Sequence, residues 1–142
     1  MNCLNQYQFG FKENHSTKIA IDTFFSKVLQ MKNFKNYVAA LLIDLSKAFD
    51  MICHSYLIGK LEHYGIRGNI NKFVQSFLSD RELYCNYKNQ ESTNHFVNSG
   101  VPQGCIMSPF LYNIYINDLS NFIVHTSILY ADDTTILVPS GK

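Results

Sequence analysis

The feature of this sequence that most constrains its fold is a pair of adjacent carboxylates between two β-prone runs. Residues 127–130 (SILY) precede the pair Asp132 and Asp133, and residues 134–138 (TTILV) follow it. Such a run–turn–run pattern predicts a β-hairpin with residues 130–133 at its tip. Two like charges about 4 Å apart repel by roughly 4 kcal/mol at an effective dielectric near 20. The pattern therefore favours a hairpin tip that is screened by water, protonated, or bound to a cation.

A third carboxylate, Asp44, follows another apolar run, residues 37–43 (YVAALLI). A continuous apolar run bounded by polar residues is typical of a strand buried on both faces. If this strand lies beside the hairpin, Asp44 faces Asp132 and three carboxylates converge. Mg²⁺ and Mn²⁺ prefer such oxygen ligands, and two ions about 3.5–4 Å apart clamp the oxygens of a phosphoryl transfer. The alternative is three surface aspartates in unrelated turns.

The rest of the chain alternates helical and strand patterns. Apolar residues at helical spacing predict three helices, which begin near Ser16 or Thr17, cover residues 57–64 up to Gly65, and cover residues 70–78. Two strands are predicted at residues 83–87 and 95–97, then a loop at 100–104 and a helix over 106–119. We expect an α+β fold, with the helices packed on one side of a small antiparallel sheet and their apolar positions in the core.

Composition narrows the class of protein. The 142 residues are 46% hydrophobic and 14% aromatic, which suits one folded domain or part of one. We expect an intracellular protein of the cytoplasm or nucleus, neither secreted nor in a membrane, because no signal pattern or long apolar span occurs. The net charge of +1 argues against strong independent binding of nucleic acid, but not against an active-site fragment of a longer polypeptide. Four scattered cysteines are expected to be buried free thiols in a reducing compartment: Cys3, Cys53, Cys85 and Cys105.

Several segments, in order, resemble the motifs of one enzyme family. They are residues 8–12 (QFGFK) with 15–17 (HST), 42–50 (LIDLSKAFD), 100–104 (GVPQG), 115–119 (YINDL) and 130–133 (YADD). Together they resemble the successive motifs of a reverse transcriptase, an RNA-directed DNA polymerase, of the non-LTR retrotransposon type. The match in order and spacing runs from about residue 8 to residue 138.

The resemblance implies part of a right-hand polymerase fold. Residues 1–36 would belong to the fingers and residues 37–142 mostly to the palm, with a fingers insertion and without the thumb. Asp44 and Asp132 match the family's metal-binding carboxylates, with Asp133 as a supporting one, for two Mg²⁺ or Mn²⁺ ions. The implied partners are an RNA template, a DNA primer, a dNTP, and the remainder of a longer polyprotein that carries a thumb and an endonuclease.

The resemblance also implies contacts with the incoming nucleotide. The positions are Lys12, Lys47, Ala48, Phe49, Gln103 and Gly104. Phe49 matches an aromatic ring that excludes the ribose 2′-hydroxyl, and the glycines beside Gln103 let backbone approach the substrate. Lys12 matches a triphosphate contact, and the amides of Lys47 and Ala48 would meet phosphates as turn amides do. Arg81 is assigned to the template or primer backbone, with an ordinary exposed arginine as the alternative.

Two other functions are compatible with the sequence. The first is a catalytically inactive retrotransposon remnant that binds nucleic acid weakly at most, which the near-neutral charge favours. The second is a related polymerase with another template or product, such as an RNA-dependent RNA polymerase or an intron-encoded transcriptase. Phe49 and the Ala-Asp-Asp tip favour deoxynucleotides over this second alternative.

Overall fold

Helices and small antiparallel sheets make up the computed structural model, which describes residues 4–34 and 37–140, with only the backbone of Phe34. The helices are α1 (Thr17–Phe34), α2 (His54–His63), α3 (Asn69–Leu78) and α4 (Met107–Ile116), followed by a 3₁₀ turn at Leu119–Phe122. The strands are β1 (Tyr37–Asp44), β2 (Arg81–Leu83), β3 (Asn86–Tyr87), β4 (Gln90–Glu91), β5 (His95–Val97), β6 (Thr126–Tyr130) and β7 (Asp133–Ser140). The predicted α+β class is confirmed at this level.

The described chain divides into two units, Met1–Ser46 with Tyr112–Lys142, and Lys47–Leu111. In the first unit, β7 lies between β1 and β6 in an antiparallel sheet. Helix α1 contacts all three strands, and a small core of Phe9, Ala20, Ile128 and Leu137 lies among them. Ser16 starts α1 as expected, because its hydroxyl accepts a hydrogen bond of 3.3 Å from the Ile19 amide.

The second unit is built around the α2–α3 pair. Leu57 and Leu61 of α2 are fully buried, and Val74 and Leu78 of α3 are 3% and 2% exposed. The predicted pair of strands is β2 with β5. Strand β2 starts at Arg81, earlier than expected. The strand predicted over residues 83–87 is interrupted after Leu83, and its last two residues form β3, which pairs with β4 of the predicted polar loop in a further short hairpin.

Burial was predicted less well than secondary structure. Strand β1 was expected to be buried on both faces, yet most of its residues are exposed, and Leu42 is 76% exposed. On α1, the apolar residues Phe25 and Leu29 are also exposed, so the expectation that all apolar helix positions are core is wrong. An apolar run indicates which side chains can be buried, but it does not indicate which helix or strand packs against them.

The cysteines differ from expectation too. Cys85 is exposed, and Cys53 and Cys105 are only half-buried, so the predicted buried thiols are not found among the described residues. Cys3 lies outside the described residues, as does the expected boundary between fingers and palm at residue 36. No helix in the described ranges is both long and apolar enough to cross a membrane.

Candidate active site

The two adjacent aspartates lie where the sequence predicts them, at the tip of the β6–β7 hairpin. Tyr130 and Asp133 are register partners, so only Ala131 and Asp132 form the turn. Ala131 has a φ of 55°, in the left-handed region that two-residue hairpin turns require and that glycine usually occupies. An alanine there costs about 1–2 kcal/mol of backbone strain. The surrounding structure must therefore hold this turn in place.

Asp44 is brought to the same end of the sheet. It is the last residue of β1, and its register partner on β7 is Asp133. Directly opposite residues of antiparallel strands share one face, with Cβ atoms about 4.5–5.5 Å apart. The predicted neighbourhood of β1 and the hairpin is confirmed, but the residue opposite Asp44 is Asp133 and not Asp132. Asp44 and Asp133 are exposed, and Asp132 is half-buried.

The side of the turn that carries Asp132 is linked electrostatically to α4. Tyr112 of α4 is 1% exposed, and its pKa is raised to about 12, first by burial and second by the negative charge of Asp132. Burial raises this pKa because it disfavours the charged phenolate. The negative charge of Asp132 disfavours the phenolate further.

The carboxylates do not form a closed metal cage. Within residues 4–34 and 37–140, no group of three or more His, Cys, Asp or Glu side chains is arranged to hold an ion. The available donors are instead an opposed pair, Asp44 and Asp133, and one neighbour in the turn. Like charges directly opposite each other destabilise a sheet, so this pair favours a bound cation.

Residues 7–10, which overlap the motif in residues 8–12, hold the turn from the other edge of the sheet, a contact that the sequence interpretation missed. Residues 7–9 run beside β6, since the Phe9 amide donates to the Leu129 carbonyl at 2.8 Å and the Leu129 amide to Tyr7 at 2.9 Å. The side-chain oxygen of Gln8 accepts hydrogen bonds from the amides of Gly10, at 2.8 Å, and Ala131, at 3.2 Å. Glycine at position 10 was the available signal, because glycine marks close approach of backbone.

Lys12, the predicted triphosphate contact, lies in the same unit. Its Nζ donates to the backbone carbonyl of Asn5 at 2.9 Å, and partial burial lowers the pKa of the ammonium. In this arrangement the charge is directed at the protein backbone. Its role toward a nucleotide stays a prediction.

The other predicted nucleotide contacts lie in the second unit. Lys47 has a φ of 56° and its carbonyl accepts the amides of Asp50 and Met51, which makes residues 47–51 a tight turn. Lys47 is exposed, and Ala48 and Phe49 are half-buried. The Phe49 carbonyl accepts the Val101 amide at 2.9 Å, so this turn is joined to the loop that carries Gln103.

Asp50, for which the sequence offered no role, organises that loop. Its Oδ1 accepts a hydrogen bond of 3.1 Å from Gln103 Nε2. Gly100, at φ 75°, lies against it so closely that a Cβ there would be 2.6 Å from the Asp50 Cα. The Gly100 carbonyl accepts Arg81 Nη1 at 2.9 Å and His54 Nε2 at 2.7 Å. Arg81 thus has a structural contact, whereas its predicted contact with nucleic acid is untested.

These residues border one cleft of the second unit. Its volume is about 530 Å³, and its lining includes Asp50, Arg81 and Gln103. Gly104, at φ 81°, has no atom within 4 Å of where a Cβ would be, so its neighbourhood is open. The cleft combines a carboxylate, a guanidinium and an amide with apolar walls, which is suitable chemistry for a polar ligand.

Comparison with known protein families decides the relationship. The family model described as "Reverse transcriptase (RNA-dependent DNA polymerase)" matches residues 1–142. The chain belongs to the reverse transcriptase family. The match includes the segments that carried the resemblance, residues 42–50, 100–104 and 130–133.

Individual relatives of this reverse transcriptase chain come from mobile elements and introns. It is 33% identical over 122 residues to the probable RNA-directed DNA polymerase from transposon BS of Drosophila melanogaster, which covers 82% of this chain and 13% of that protein. It is 27% identical over 143 residues to the polymerase from mobile element jockey of the same species, with coverage of 95% and 16%. A putative COX1/OXI3 intron 2 protein of Saccharomyces cerevisiae is 31% identical, with coverage of 86% and 13%.

The two mobile-element relatives confirm the expected non-LTR retrotransposon type of reverse transcriptase, within a family of RNA-directed DNA polymerases. The chain spans only 13–16% of the length of these three relatives.

Proposed function

We propose that this chain carries the metal- and nucleotide-binding part of an RNA-directed DNA polymerase. The enzyme would add nucleotides from a dNTP to the 3′-hydroxyl of a DNA primer, on an RNA template. The observation that carries the proposal is the register pairing of Asp44 with Asp133, next to Asp132 in the turn. Membership of the reverse transcriptase family supports the same reaction.

In this proposal, Asp44, Asp132 and Asp133 hold two Mg²⁺ or Mn²⁺ ions. The donors fit such ions, because hard cations take carboxylate oxygens and Mg²⁺ completes its shell with waters and substrate phosphates. A site with few protein ligands at an exposed sheet end is therefore suitable without a closed cage. When bound, the ions supply positive charge that stabilises the attacking and leaving oxygens.

The chain's own residues would position the nucleotide. The primer 3′-oxygen attacks the α-phosphorus, and the bond to the pyrophosphate oxygen breaks. Phe49 would exclude a ribose 2′-hydroxyl, and Gln103 and Gly104 would lie along the nucleotide. Exposed turn residues Lys47 and Ala48 would offer backbone amides to the phosphates. Lys12 has the least support, because its ammonium already donates to a carbonyl.

The larger architecture is part of the same proposal. Residues 1–36 would be part of the fingers and residues 37–142 mostly palm of a right-hand polymerase. The thumb and an endonuclease would belong to the remainder of a longer polyprotein, consistent with relatives several times the length of this chain. RNA template, DNA primer and dNTP are intracellular molecules, which agrees with a location in the cytoplasm or nucleus.

Two measurements test the proposal. The first is binding of Mn²⁺ to this chain, which is measured as the loss of the free-ion signal in electron paramagnetic resonance. The second is incorporation of labelled dNTP on an RNA template by a polypeptide that carries this segment. Asp44→Asn and Asp132→Asn should weaken Mn²⁺ binding and lower incorporation by at least about 100-fold. Glu62→Gln, an exposed acid on α2, is the matched control and should change neither.

The same assay separates the alternatives. Undiminished synthesis after Asp132→Asn would contradict the carboxylate assignment. Absence of both Mn²⁺ binding and incorporation would favour an inactive remnant. Incorporation of NTP as readily as dNTP by the unaltered polypeptide would favour an RNA polymerase, and Phe49→Ala should relax the discrimination only if Phe49 excludes the 2′-hydroxyl.

A further inference from the structure

We propose that Gln8 is a positioning residue for the carboxylate turn: its side-chain oxygen anchors the backbone of Ala131 and thereby fixes Asp132 and Asp133. The inference rests on the proposed function, because it gives Gln8 a part in the activity of those carboxylates. Nothing in the motif that contains Gln8 assigns it this task.

The contacts of Gln8 are those of an internal clamp. The side chain is 3% exposed, and its Oε1 accepts the Gly10 amide at 2.8 Å and the Ala131 amide at 3.2 Å. Two buried backbone donors from segments more than a hundred residues apart thus share one acceptor. Among the described residues, the Nε2 atom of Gln8 has no hydrogen-bond partner. The oxygen, not the amide nitrogen, is therefore the functional atom of this side chain.

The clamp continues into α4. Asn113 is 1% exposed, and its Nδ2 donates to the carbonyl of Gly10 at 2.9 Å and that of Phe11 at 3.3 Å. The amide of Gly10 is thus held by Gln8 and its carbonyl by Asn113. A fixed Gly10 keeps the Gln8 oxygen directed at Ala131. The turn is tied to a helix through a chain of buried hydrogen bonds.

The position of the clamp connects it to activity. Ala131 is the strained residue of the turn, with its φ of 55°, and Asp132 follows it directly. Removing the acceptor would leave a buried amide unsatisfied and let the turn relax toward an unstrained conformation. Groups in a reacting site must be held within about 0.5 Å, so a small shift of two carboxylates is costly. The loss should appear in the rate of the reaction and in metal affinity.

The test compares substitutions that keep or remove the acceptor. Gln8→Glu keeps an oxygen at the same reach, whereas Gln8→Met has nearly the same shape without an acceptor. Gln8→Asn keeps the amide but shortens it, so its oxygen falls short of Ala131. In the incorporation assay, Gln8→Met and Gln8→Asn should lower kcat about 10- to 100-fold, as for residues that orient metal ligands, with little change in KM for dNTP. Gln8→Glu should retain most of the activity.

A purely structural role predicts a different pattern. It would reduce the folded fraction, measured by circular dichroism, and would not separate Gln8→Glu from the other two through kcat. Wild-type kcat in Gln8→Asn, or equal loss in Gln8→Glu and Gln8→Met, would overturn the proposal. Gln8→Asn keeps a polar side chain and provides the answer if Gln8→Met does not fold.

Failure of the proposed function can be told apart from failure of this inference. If the unaltered polypeptide incorporates no dNTP, the proposed function fails. The clamp is then judged by hydrogen exchange of the Ala131 amide in this chain, which should be faster in Gln8→Met and Gln8→Asn but not in Gln8→Glu. Unchanged exchange in all three variants would refute the clamp itself.

Discussion

Replacing Gly10 by alanine probes the close contact between residues 7–10, which run beside β6, and the carboxylate turn. A Cβ at this position would lie 2.3 Å from the nitrogen and 3.0 Å from the Cα of Ala131, and 3.1 Å from the carbonyl carbon of Tyr130. All three are backbone atoms, which cannot rotate away as a flexible side chain would. Overpacking of this kind costs about 1–3 kcal/mol, and the rigid neighbours favour the upper end.

A second term reduces this cost. Gly10 does not have a positive φ, so alanine can adopt its conformation, and the less flexible unfolded chain then stabilises the fold by about 0.4–1 kcal/mol. The net expectation for Gly10→Ala is a loss of about 2 kcal/mol in the unit that contains the turn. Gly59→Ala is the matched control. Gly59 lies inside α2 with no atom within 4 Å of its added Cβ, so alanine should stabilise that helix by about 0.5–1 kcal/mol.

Hydrogen exchange followed by mass spectrometry measures the effect locally. In peptides that cover β6 and β7, a loss of about 2 kcal/mol should raise exchange about 30-fold. In Gly59→Ala, exchange of α2 should be slower than in the unaltered chain. If Gly10→Ala exchanges its β6 and β7 amides at the original rate or more slowly, the backbone contact is not as tight as the structure has it, and the reasoning fails.

Three further predictions follow from single contacts. Gly100→Ala, which combines φ 75° with a Cβ only 2.6 Å from a backbone Cα, should lower the urea midpoint far more than Gly68→Ala, where φ is 64° but the space is open and the cost is about 1 kcal/mol. The pKa of Tyr112 is raised above its unfolded value of about 10, so the stability that this residue contributes is complete below pH 10 and is lost as pH rises toward 12. Tyr112→Phe should therefore flatten the dependence of the free energy of unfolding on pH, measured by urea titrations at several pH values. Asp44→Asn should stabilise the metal-free chain by about 0.2–1 kcal/mol in thermal denaturation, because it removes a like charge opposite Asp133. The same substitution should abolish stabilisation by Mn²⁺. Lower stability of the metal-free variant would contradict the repulsion between Asp44 and Asp133.

Local patterns in the sequence were enough to predict most elements and the meeting of β1 with the hairpin. Asp44 could be placed at the right end of the sheet because it ends an apolar run and the Asp pair lies in a turn. Which aspartate faces it could not be predicted, because β1 and β7 are far apart in sequence and no short turn fixes their register. The structure aligns β1 and β7 so that Asp44 pairs with Asp133.

Burial and long-range contacts were beyond the sequence for physical reasons. The apolar run of β1 indicates that its side chains tolerate burial, but Leu42 is exposed because the described elements do not cover it. Gln8 begins the motif in residues 8–12, but that motif gave it no structural role. Its partner Ala131 lies 123 positions away, and only the fold brings the two together.

The turn concentrates three unfavourable features in four residues. Ala131 has a left-handed φ, two acidic side chains are adjacent in sequence, and one of them faces Asp44 across the sheet. Each feature alone would be removed by a conservative change, such as glycine at 131 or asparagine at 133. Local strain and like-charge opposition persist where the surroundings over-determine the geometry, and such places are typically functional. Here the surroundings are identified: the Gln8 oxygen satisfies the strained amide, and Gly10 allows the backbone approach that makes this contact possible. The clamp compensates the strain of the turn but leaves the charge repulsion uncompensated, and a cation at the opposed carboxylates is what would remove it.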